Sequence, residues 1–466
     1  MNITFHGAAR NVTGSKHLIR LNDGTGILLD CGMFQGMGEH TEVLNEHFGF
    51  NPKKVDYMIL SHAHIDHCGL IPRLVAEGFD GPIFCTAATM ELGRILLMDS
   101  ARIQEQDTEY SNKHRRKNGQ PLLEAMYTEE QAMESLRLFK IVDYGEEYEI
   151  RPDIKFSFTD AGHLAGSASI HLWITENGQQ TAITFSGDVG RYDDILLKSP
   201  QPFSQADYIL LESTYGDSLH KDVGAIEDAL LDVVTQTCLV KKGKLIIPAF
   251  SVGRTQEILY ALNSLELDGK LPDLHYYVDS PLSEKATQVL MDHPEVYNKE
   301  VSHVLKVDAN PFGFKGLRFI QSTEESKALN DDPTPCVIIS SSGMAEAGRV
   351  KHHIKNNINN HKNTILIVGY CEPGSLGGHL LRGDHEVFIF GERYEVRAEV
   401  QSIKSMSAHG DYDDLLRFIS NQDAAKVKKV FLVHGEYEVQ QHFREKILAK
   451  GFNDVEIPYQ HQKIEL

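Results

Sequence analysis

The stretch SHAHIDHCG (61–69) decides the fold class of this chain of 466 residues. It follows YMIL (57–60), a short apolar run that is typical of a buried strand. It brings three histidines and an aspartate close together, namely His62, His64, Asp66 and His67. Imidazole nitrogen and carboxylate oxygen are ligands that divalent zinc accepts, whereas in an apolar core such groups would stay unsatisfied. The stretch therefore predicts a metal site at the end of a strand.

Four more candidate ligands occur further along the chain, most of them at predicted strand ends. Asp30 closes the run GILLD, and Asp188 closes TAITFSGD. His163 follows the run KFSFTD, and His409 lies in SAHGDY. Two metal ions about 3.5–4 Å apart need a bridging ligand, and an aspartate can offer one oxygen to each. The sequence thus contains the ligands of a complete dinuclear site.

The order of predicted elements indicates one domain interrupted by another. Up to about residue 215, short strands alternate with turns, and helices are predicted at 87–106 and 128–139, which favours two sheets covered by helices. From about 217, apolar strands such as LIIPAF, PCVIISS and TILIVGY alternate with helix-length segments, as in a parallel sheet with helices on its faces. After 385, alternating strands return. We therefore expect the first domain to resume there.

Composition and charge narrow the function classes. No apolar run reaches the roughly 18 residues of a membrane span, and we expect no secretory signal and no membrane partner. The six cysteines form no CxxC pair, which favours a reduced, cytoplasmic protein. A formal charge of −20 argues against an extensive basic surface, although bound zinc would add local positive charge. The one dense basic run, KHRRK (113–117), is interpreted as a solvated loop.

The metal-site stretch and its companions resemble the metallo-β-lactamase superfamily. SHAHIDHCG, the later histidine of AGHLAGS and the later aspartate of FSGDVGR carry that resemblance. LESTYG (211–216), followed by the inserted α/β segment, is similar to the β-CASP branch of nucleic-acid nucleases, as are PAFSVGRTQEIL, SSSGMAEAGR, GYCEPGSLGGHL and LVHGE. The resemblance implies an αββα sandwich over 1–216 and 379–466, with a β-CASP α/β domain inserted at 217–378.

The resemblance also implies roles for individual residues. One zinc is expected on His62, His64 and His163, and the other on Asp66, His67 and His409. Asp188 would bridge the two ions, so the cofactor is two Zn²⁺ per chain. Asp30 would orient His62 or its neighbours without binding metal.

The expected reaction is hydrolysis of an RNA phosphodiester, and three further motifs bear on it. Glu212 in LESTYG, His379 in GGHL and His409 are the positions expected to separate nucleases from small-molecule hydrolases of this fold. Zinc, if bound, would make water nucleophilic for attack on phosphorus, and an acid would protonate the departing oxygen. His379 is the expected acid, with Glu212 holding its ring, because both lie where the chain crosses between the two predicted domains.

Substrate contacts are predicted from weaker signals. Ser341, Ser342 and Gly343, in the SSSGM run, offer hydroxyl and backbone N–H groups at a strand-to-helix turn, which suits a phosphate or merely a helix cap. Arg254 could contact phosphate or form a salt bridge. His434, which ends the run VFLVH, could approach the site or serve as a structural histidine.

Other functions stay open at this point. A single-stranded DNA nuclease of the same branch is one alternative, although the histidine of SAHGDY is the residue expected of RNA enzymes where DNA-repair members have valine. A glyoxalase-like hydrolase would share the zinc site but would have little use for so large an insertion. A non-enzymatic subunit would have lost ligands, whereas this sequence retains them all. A homodimer is compatible with the sequence, which leaves the oligomeric state open, as it does endo- or exonucleolytic cutting.

Overall fold

The computed structural model describes residues 1–38, 40–220, 226–369, 371–403 and 406–466. Tyr370, at the end of the predicted strand TILIVGY, lies outside them. The chain divides into two compact units. Unit 1 comprises Met1–Leu219 together with His409–Leu466, and unit 2 comprises His220–Ala408.

The strands are numbered in chain order. They are β1 (Asn2–Gly7), β2 (Lys16–Arg20), β3 (Gly26–Leu29), β4 (Tyr57–Ile59), β5 (Ile83–Cys85), β6 (Phe139–Ile141), β7 (Tyr148–Arg151), β8 (Ile154–Asp160), β9 (Ala168–Glu176), β10 (Gln179–Phe185), β11 (Tyr208–Glu212), β12 (Leu245–Pro248), β13 (His275–Asp279), β14 (Leu317–Phe319), β15 (Cys336–Ser340), β16 (Thr364–Ile367), β17 (Glu386–Ile389), β18 (Glu392–Glu395), β19 (Glu399–Ser402), β20 (Lys429–Val433), β21 (Val455–Glu456) and β22 (Gln462–Glu465).

The α-helices are likewise numbered in chain order. They are α1 (His40–Glu46), α2 (Ile65–Cys68), α3 (Ile71–Ala76), α4 (Ala87–Lys117), α5 (Glu129–Ser135), α6 (Ile226–Val234), α7 (Arg254–Leu267), α8 (Pro281–Asp292), α9 (Lys299–Val304), α10 (Thr323–Asp331), α11 (Arg349–Asn357), α12 (Leu376–Leu381), α13 (Tyr412–Phe418) and α14 (Tyr437–Ala449). Among the described residues, no helix combines the length and the apolar character that crossing a bilayer requires.

Unit 1 is a sandwich of two sheets with helices on both outer faces. The first sheet has the order β22-β1-β2-β3-β4-β5-β6, and the second has the order β21-β20-β11-β10-β9-β8-β7. Alternate side chains of both sheets, such as Phe5, Leu29, Phe156 and Ile183, are buried between them. A second apolar layer joins the first sheet to α3, α4 and α5, and a third joins the second sheet to α13 and α14. This is the predicted αββα arrangement.

Unit 2 is built on a parallel sheet of the order β14-β13-β15-β12-β16-β19. The central strands β12, β15 and β16 are apolar runs buried on both faces, as expected when helices cover a parallel sheet. Ile246, Ile338 and Ile365 pack with Ile354 of α11 and Leu376 of α12. The inserted α/β domain is therefore present as predicted.

The structure differs from the predicted return of the first domain at residue 379. Unit 2 extends to Ala408 because β19 pairs with β16 in its parallel sheet, and because β17 and β18 form a hairpin whose buried Val387 and Ile389 join its core. The alternating pattern after residue 385 comes from this hairpin. Like the strands of unit 1, the hairpin has one buried face.

The KHRRK run is the last turn of α4 and not a loop. The helix continues past the predicted end at 106 to Lys117, and the basic side chains stand at its carboxyl end, where the helix dipole favours cations. Arg116 also pairs with Glu109, and Arg115 donates to the Pro121 carbonyl. The basic run therefore has a local structural role.

Close backbone contacts hold the SHAHIDHCG loop against the segment after β3. The backbone N–H of Cys31 donates to the His67 carbonyl (2.8 Å), and that of Ser15 donates to the Asp66 carbonyl (2.8 Å). A Cβ atom on Gly32 would lie 1.6 Å from the Asp66 carbonyl oxygen. Only glycine allows the two segments to approach this closely.

We predict that Gly32→Ala destabilises unit 1 and lowers its metal content, because the new methyl group must push the Asp66 backbone away. Overpacking of this kind costs about 1–3 kcal/mol or more. The matched control is Gly93→Ala within α4, where an added Cβ meets nothing within 4 Å and removing a helical glycine should be neutral or stabilising. Thermal unfolding and elemental analysis of both variants check the prediction. Equal behaviour of the two variants would contradict it.

Candidate metal centre

The candidate ligands converge because most of them follow the carboxyl ends of strands. In the first sheet Asp30 follows β3 and His62 follows β4, and these strands are parallel. In the second sheet His163 follows β8 and Asp188 follows β10, while Glu212 ends β11 and His434 follows β20. The carboxyl ends of strands that run the same way lie at one edge of a sheet, where α/β proteins form their sites.

The first group consists of His62, His64, His163 and Asp188, whose ligand atoms all lie within 4.8 Å of one another. Nδ1 of His64 lies 3.1 Å from Nε2 of both His62 and His163. Oδ2 of Asp188 lies 3.4 Å from Nε2 of His62 and 3.5 Å from that of His163. Tetrahedral zinc with bonds near 2.0–2.1 Å spaces its ligand atoms about 3.3 Å apart. These distances fit one such ion.

The second group consists of Asp66, His67 and His434, and it faces the other oxygen of Asp188. Nε2 of His67 lies 3.2 Å from Oδ1 of Asp188, and Nε2 of His434 lies 3.6 Å from it. Nε2 of His434 is also 3.3 Å from Oδ2 of Asp66. The two oxygens of Asp188 therefore face two different sets of ligands, as a bridging carboxylate requires.

The structure offers a second histidine for the ion that the sequence places on Asp66, His67 and His409. His434 forms a group with Asp66 and His67. Thr214 accepts from Nδ1 of His434 at 3.1 Å, which turns Nε2 toward Asp66. His409 is close by, with one ring nitrogen within 4.8 Å of ligand atoms of Asp188 and His434. Both histidines come from the end of the chain, and their sequence signals did not separate them.

Burial and charge in this centre suit cations. Asp188 and His67 are buried, and in the described part of the chain Oδ1 of Asp188 and Nε2 of His67 have no hydrogen bond of acceptable geometry. Leaving buried polar atoms unpaired is costly, so a shared partner such as a metal ion is expected between them. The residues present thus fit the zinc that the sequence predicts.

The pKa shifts follow from burial and neighbouring charges. Burial lowers the pKa of His62 well below its usual value and that of His64 to about 4, which keeps both rings neutral, the form that binds metal. Burial alone would also lower the pKa of His67, but the carboxylates of Asp188 and Asp30 raise it well above 6.5. A cation beside Asp188 would replace that proton.

Asp30 orients a candidate ligand, His67, and does not itself belong to any of the ligand groups among the described residues. Nδ1 of His67 donates to its Oδ2 at 2.6 Å, which directs Nε2 of His67 toward Asp188. The Ser61 backbone N–H and hydroxyl donate to the same carboxylate at 2.8 and 2.9 Å, and the Ser15 hydroxyl donates at 3.2 Å. Asp30 was expected to orient His62 or a neighbouring residue, and in the structure the histidine that it contacts is His67.

Glu212 is buried and holds the ring of His409. Nδ1 of His409 donates to Oε1 of Glu212 at 3.1 Å, and the Val189 backbone N–H donates to the same oxygen at 2.7 Å. The Thr214 hydroxyl donates to Oε2 at 2.7 Å. Burial alone would lower the pKa of His409, but the Glu212 carboxylate raises it to about 9. The imidazolium form of His409 is therefore favoured. Sequence reasoning missed Thr214, which no spacing signal marks.

Glu212 and His379, which were expected to form a pair, belong to different units, and each has polar partners within its own unit. His379 belongs to unit 2, where it lies in α12 with its side chain 44% exposed. Its Nδ1 lies 2.7 Å from Oδ2 of Asp384, and Arg382 lies beside both. The carboxylate that orients His379 is thus local to its own helix and loop.

Four of the predicted substrate contacts, Arg254, Ser341, Ser342 and Gly343, lie in unit 2, whereas His434 lies in unit 1. Arg254 is buried in the first turn of α7 and ion-paired with Glu257, so its guanidinium serves the interior of the unit. Ser341 and Ser342 follow β15, and the Ser341 hydroxyl lies 3.0 Å from that of Ser280, which follows β13. Gly343 packs against Phe250, which would meet any added side chain.

Three protein families match this chain in sequence. The metallo-beta-lactamase superfamily matches residues 13–232, and the Beta-Casp domain matches residues 255–380. The Zn-dependent metallo-hydrolase RNA specificity domain matches residues 393–458, the part that contains His409 and His434.

Similar proteins match over nearly the whole chain. A protein named Ribonuclease TTHA0252 from Thermus thermophilus is 35% identical over 97% of this chain and 95% of its own length. An RNase J-like protein from Methanocaldococcus jannaschii is 32% identical over 93% of this chain and 92% of its own. The Transcription termination factor FttA of Methanosarcina mazei is 30% identical over 94% of this chain and 67% of its own.

We predict that His434→Ala loses bound metal and that His409→Ala keeps it. Removing a ligand of one ion should lower the metal content by about one ion per chain, whereas His409 is held by Glu212 outside both ligand groups. Elemental analysis after gel filtration, with circular dichroism to check folding, measures the difference. Loss of metal from His409→Ala with full occupancy in His434→Ala would restore the assignment made from sequence.

Proposed function

The chain belongs to the β-CASP branch of the metallo-β-lactamase superfamily, and we propose that it hydrolyses phosphodiester bonds of single-stranded RNA with two zinc ions. The observation that carries the proposal is the Asp188 carboxylate, whose two oxygens face two separate sets of ligand atoms. The membership itself makes the chain a metal-dependent hydrolase. Zinc as the metal, its count and the RNA substrate are what the proposal adds.

Each of the two ligand groups would hold one zinc ion. His62, His64 and His163 would hold one ion and Asp66, His67 and His434 the other, with Asp188 shared. Zinc bound in such a site makes water acidic near neutral pH and neutralises charge on phosphoryl oxygens. Asp30 and Thr214 keep His67 and His434 in the orientation that presents Nε2.

His409 is the general acid in this proposal, in place of His379. Its contact with Glu212 favours the protonated ring, and one of its ring nitrogens lies within 4.8 Å of ligand atoms of Asp188 and His434. A protonated imidazole at that place can give its proton to the departing oxygen. Thr214 couples the two roles, because its hydroxyl contacts both Glu212 and His434.

RNA is the proposed substrate for two reasons. Relatives matched over more than nine tenths of this chain are named ribonuclease and RNase J-like. The segment that supplies His409 and His434 matches a domain described by RNA specificity. The hydroxyls of Ser341 and Ser342 remain our candidates for phosphate contact. A cytoplasmic location is proposed as well, since the six cysteines are free and buried. A homodimer stays a prediction.

The proposal predicts zinc-dependent cleavage of labelled single-stranded RNA and little or none of matched DNA. Asp188→Ala should abolish it and lose zinc from both groups, because both depend on that carboxylate. Labels at the 5′ and 3′ ends separate internal from terminal cutting. Cleavage of DNA at the same rate would favour the DNA nuclease, and turnover of thioesters without RNA cleavage would favour the glyoxalase-like hydrolase.

We predict that His409→Ala slows RNA hydrolysis by roughly 10²–10⁴-fold, the usual contribution of a positioned acid. On a p-nitrophenyl phosphodiester, whose leaving group needs no proton, the variant should recover most of that loss. His379→Ala is the matched comparison and should show no such dependence on the leaving group. If His379→Ala is rescued by the activated substrate and His409→Ala is not, the acid is His379.

A further inference from the structure

Arg10, Tyr437 and Tyr459 form an exposed cluster on unit 1, which we call the Arg10 patch. The guanidinium carbon of Arg10 lies 4.4 Å from the ring centre of Tyr437 and 5.7 Å from that of Tyr459. Tyr437 is 40% exposed and Tyr459 54% exposed. Flat cation–aromatic surfaces of this kind are what proteins use to stack unpaired bases of single-stranded nucleic acid.

The Arg10 patch is joined directly to the candidate metal centre. The backbone N–H of His434 donates to the Ala8 carbonyl at 2.8 Å, and that of Gly435 donates to the Asn11 carbonyl at 3.0 Å. Tyr437 follows His434 by three positions, so their Cα atoms lie within about 11 Å of each other. The segment that contains Arg10 is therefore hydrogen-bonded to the segment that contains His434 and Tyr437.

The backbone around Arg10 and His434 adopts an uncommon conformation. Arg10 has φ 63°, Ala8 has φ 47° and His434 has φ 51°, although none is glycine. Left-handed backbone at such residues is costly and clusters at functional sites. The loop thus places Arg10 beside the two rings.

The charges of the patch favour bases over a run of phosphates. Arg10 has no carboxylate partner among the described residues, and its Nη2 donates to the Ile457 carbonyl at 3.3 Å. Glu436 and Glu438, which flank Tyr437, are both exposed. Arg10 offers a single positive charge, whereas the two exposed rings can accept a base.

We propose that the Arg10 patch is a stacking subsite for an unpaired base next to the scissile phosphate of single-stranded RNA. The inference rests on the proposed function and adds a residue-level account of why the substrate must be unpaired. Tyr437 and Tyr459 supply ring faces, and Arg10 fixes them and stacks with them. Aromatic stacking is tolerant of base identity, so the patch selects strandedness and not sequence.

The test compares Tyr437→Ala/Tyr459→Ala with Tyr437→Phe/Tyr459→Phe in the zinc-loaded protein. Loss of stacking should raise KM for single-stranded RNA about fivefold or more, with a smaller effect on kcat, and the phenylalanine pair should restore KM. Thermal unfolding checks that each variant folds. Tyr110→Ala is the matched control. Tyr110 is also exposed (67%), but it belongs to α4 and is not part of the Arg10 patch.

Direct binding of the same labelled RNA, measured by fluorescence anisotropy, separates the two claims. If the native protein binds RNA but does not cut it, the proposed function fails, and the patch is still judged by whether the alanine pair weakens binding. If the native protein does not bind RNA, both fail. The subsite is overturned if the alanine pair leaves KM and affinity unchanged, if the phenylalanine pair fails to restore them, or if Tyr110→Ala has an equal effect.

Discussion

The carboxylate of Asp188 is the contact on which the centre depends. Its two oxygens are buried and face opposite ways, one toward His62 and His163 and the other toward His67 and His434. A buried carboxylate surrounded by imidazoles is stable only if positive charge is shared among them. The carboxylates of Asp188 and Asp30 raise the pKa of His67, which shows that this site favours positive charge, and bound metal ions would supply such charge. The site is therefore organised for cations before any substrate arrives.

The fold serves this contact by bringing distant strand ends to one edge of the sandwich. Asp188 follows β10 and His434 follows β20, which are both strands of the second sheet, while the SHAHIDHCG loop comes from the first. Backbone hydrogen bonds from Cys31 and Ser15 fix that loop against its neighbours. A buried hydrogen bond from Ser61 to Asp30 and a partly buried one from Thr214 to Glu212 then help to orient the rings. Position is thus set by the sheets, and orientation by a surrounding layer of polar contacts.

Local spacing predicted the parts of the centre that lie close together in sequence. The clustering of the SHAHIDHCG side chains, the strand before them and the αββα class followed from pattern and resemblance, and the inserted parallel sheet followed from its apolar runs. The sequence did not distinguish the roles of His409 and His434. Both lie beside Asp188 in the structure, and they differ in that His409 contacts Glu212. The late boundary of unit 2 was missed because a half-buried hairpin has the same alternation as a sandwich strand. Pairing between strands far apart in sequence leaves no local signal.

Anomalous scattering at the zinc edge from crystals of the zinc-loaded protein would locate each bound ion and its ligands. We expect two peaks, one bound by His62, His64 and His163 and the other by Asp66, His67 and His434, with Asp188 reaching both. Each ligand atom should lie about 2.0–2.2 Å from its ion. A single peak, or a second peak bound by His409 in place of His434, would contradict this assignment.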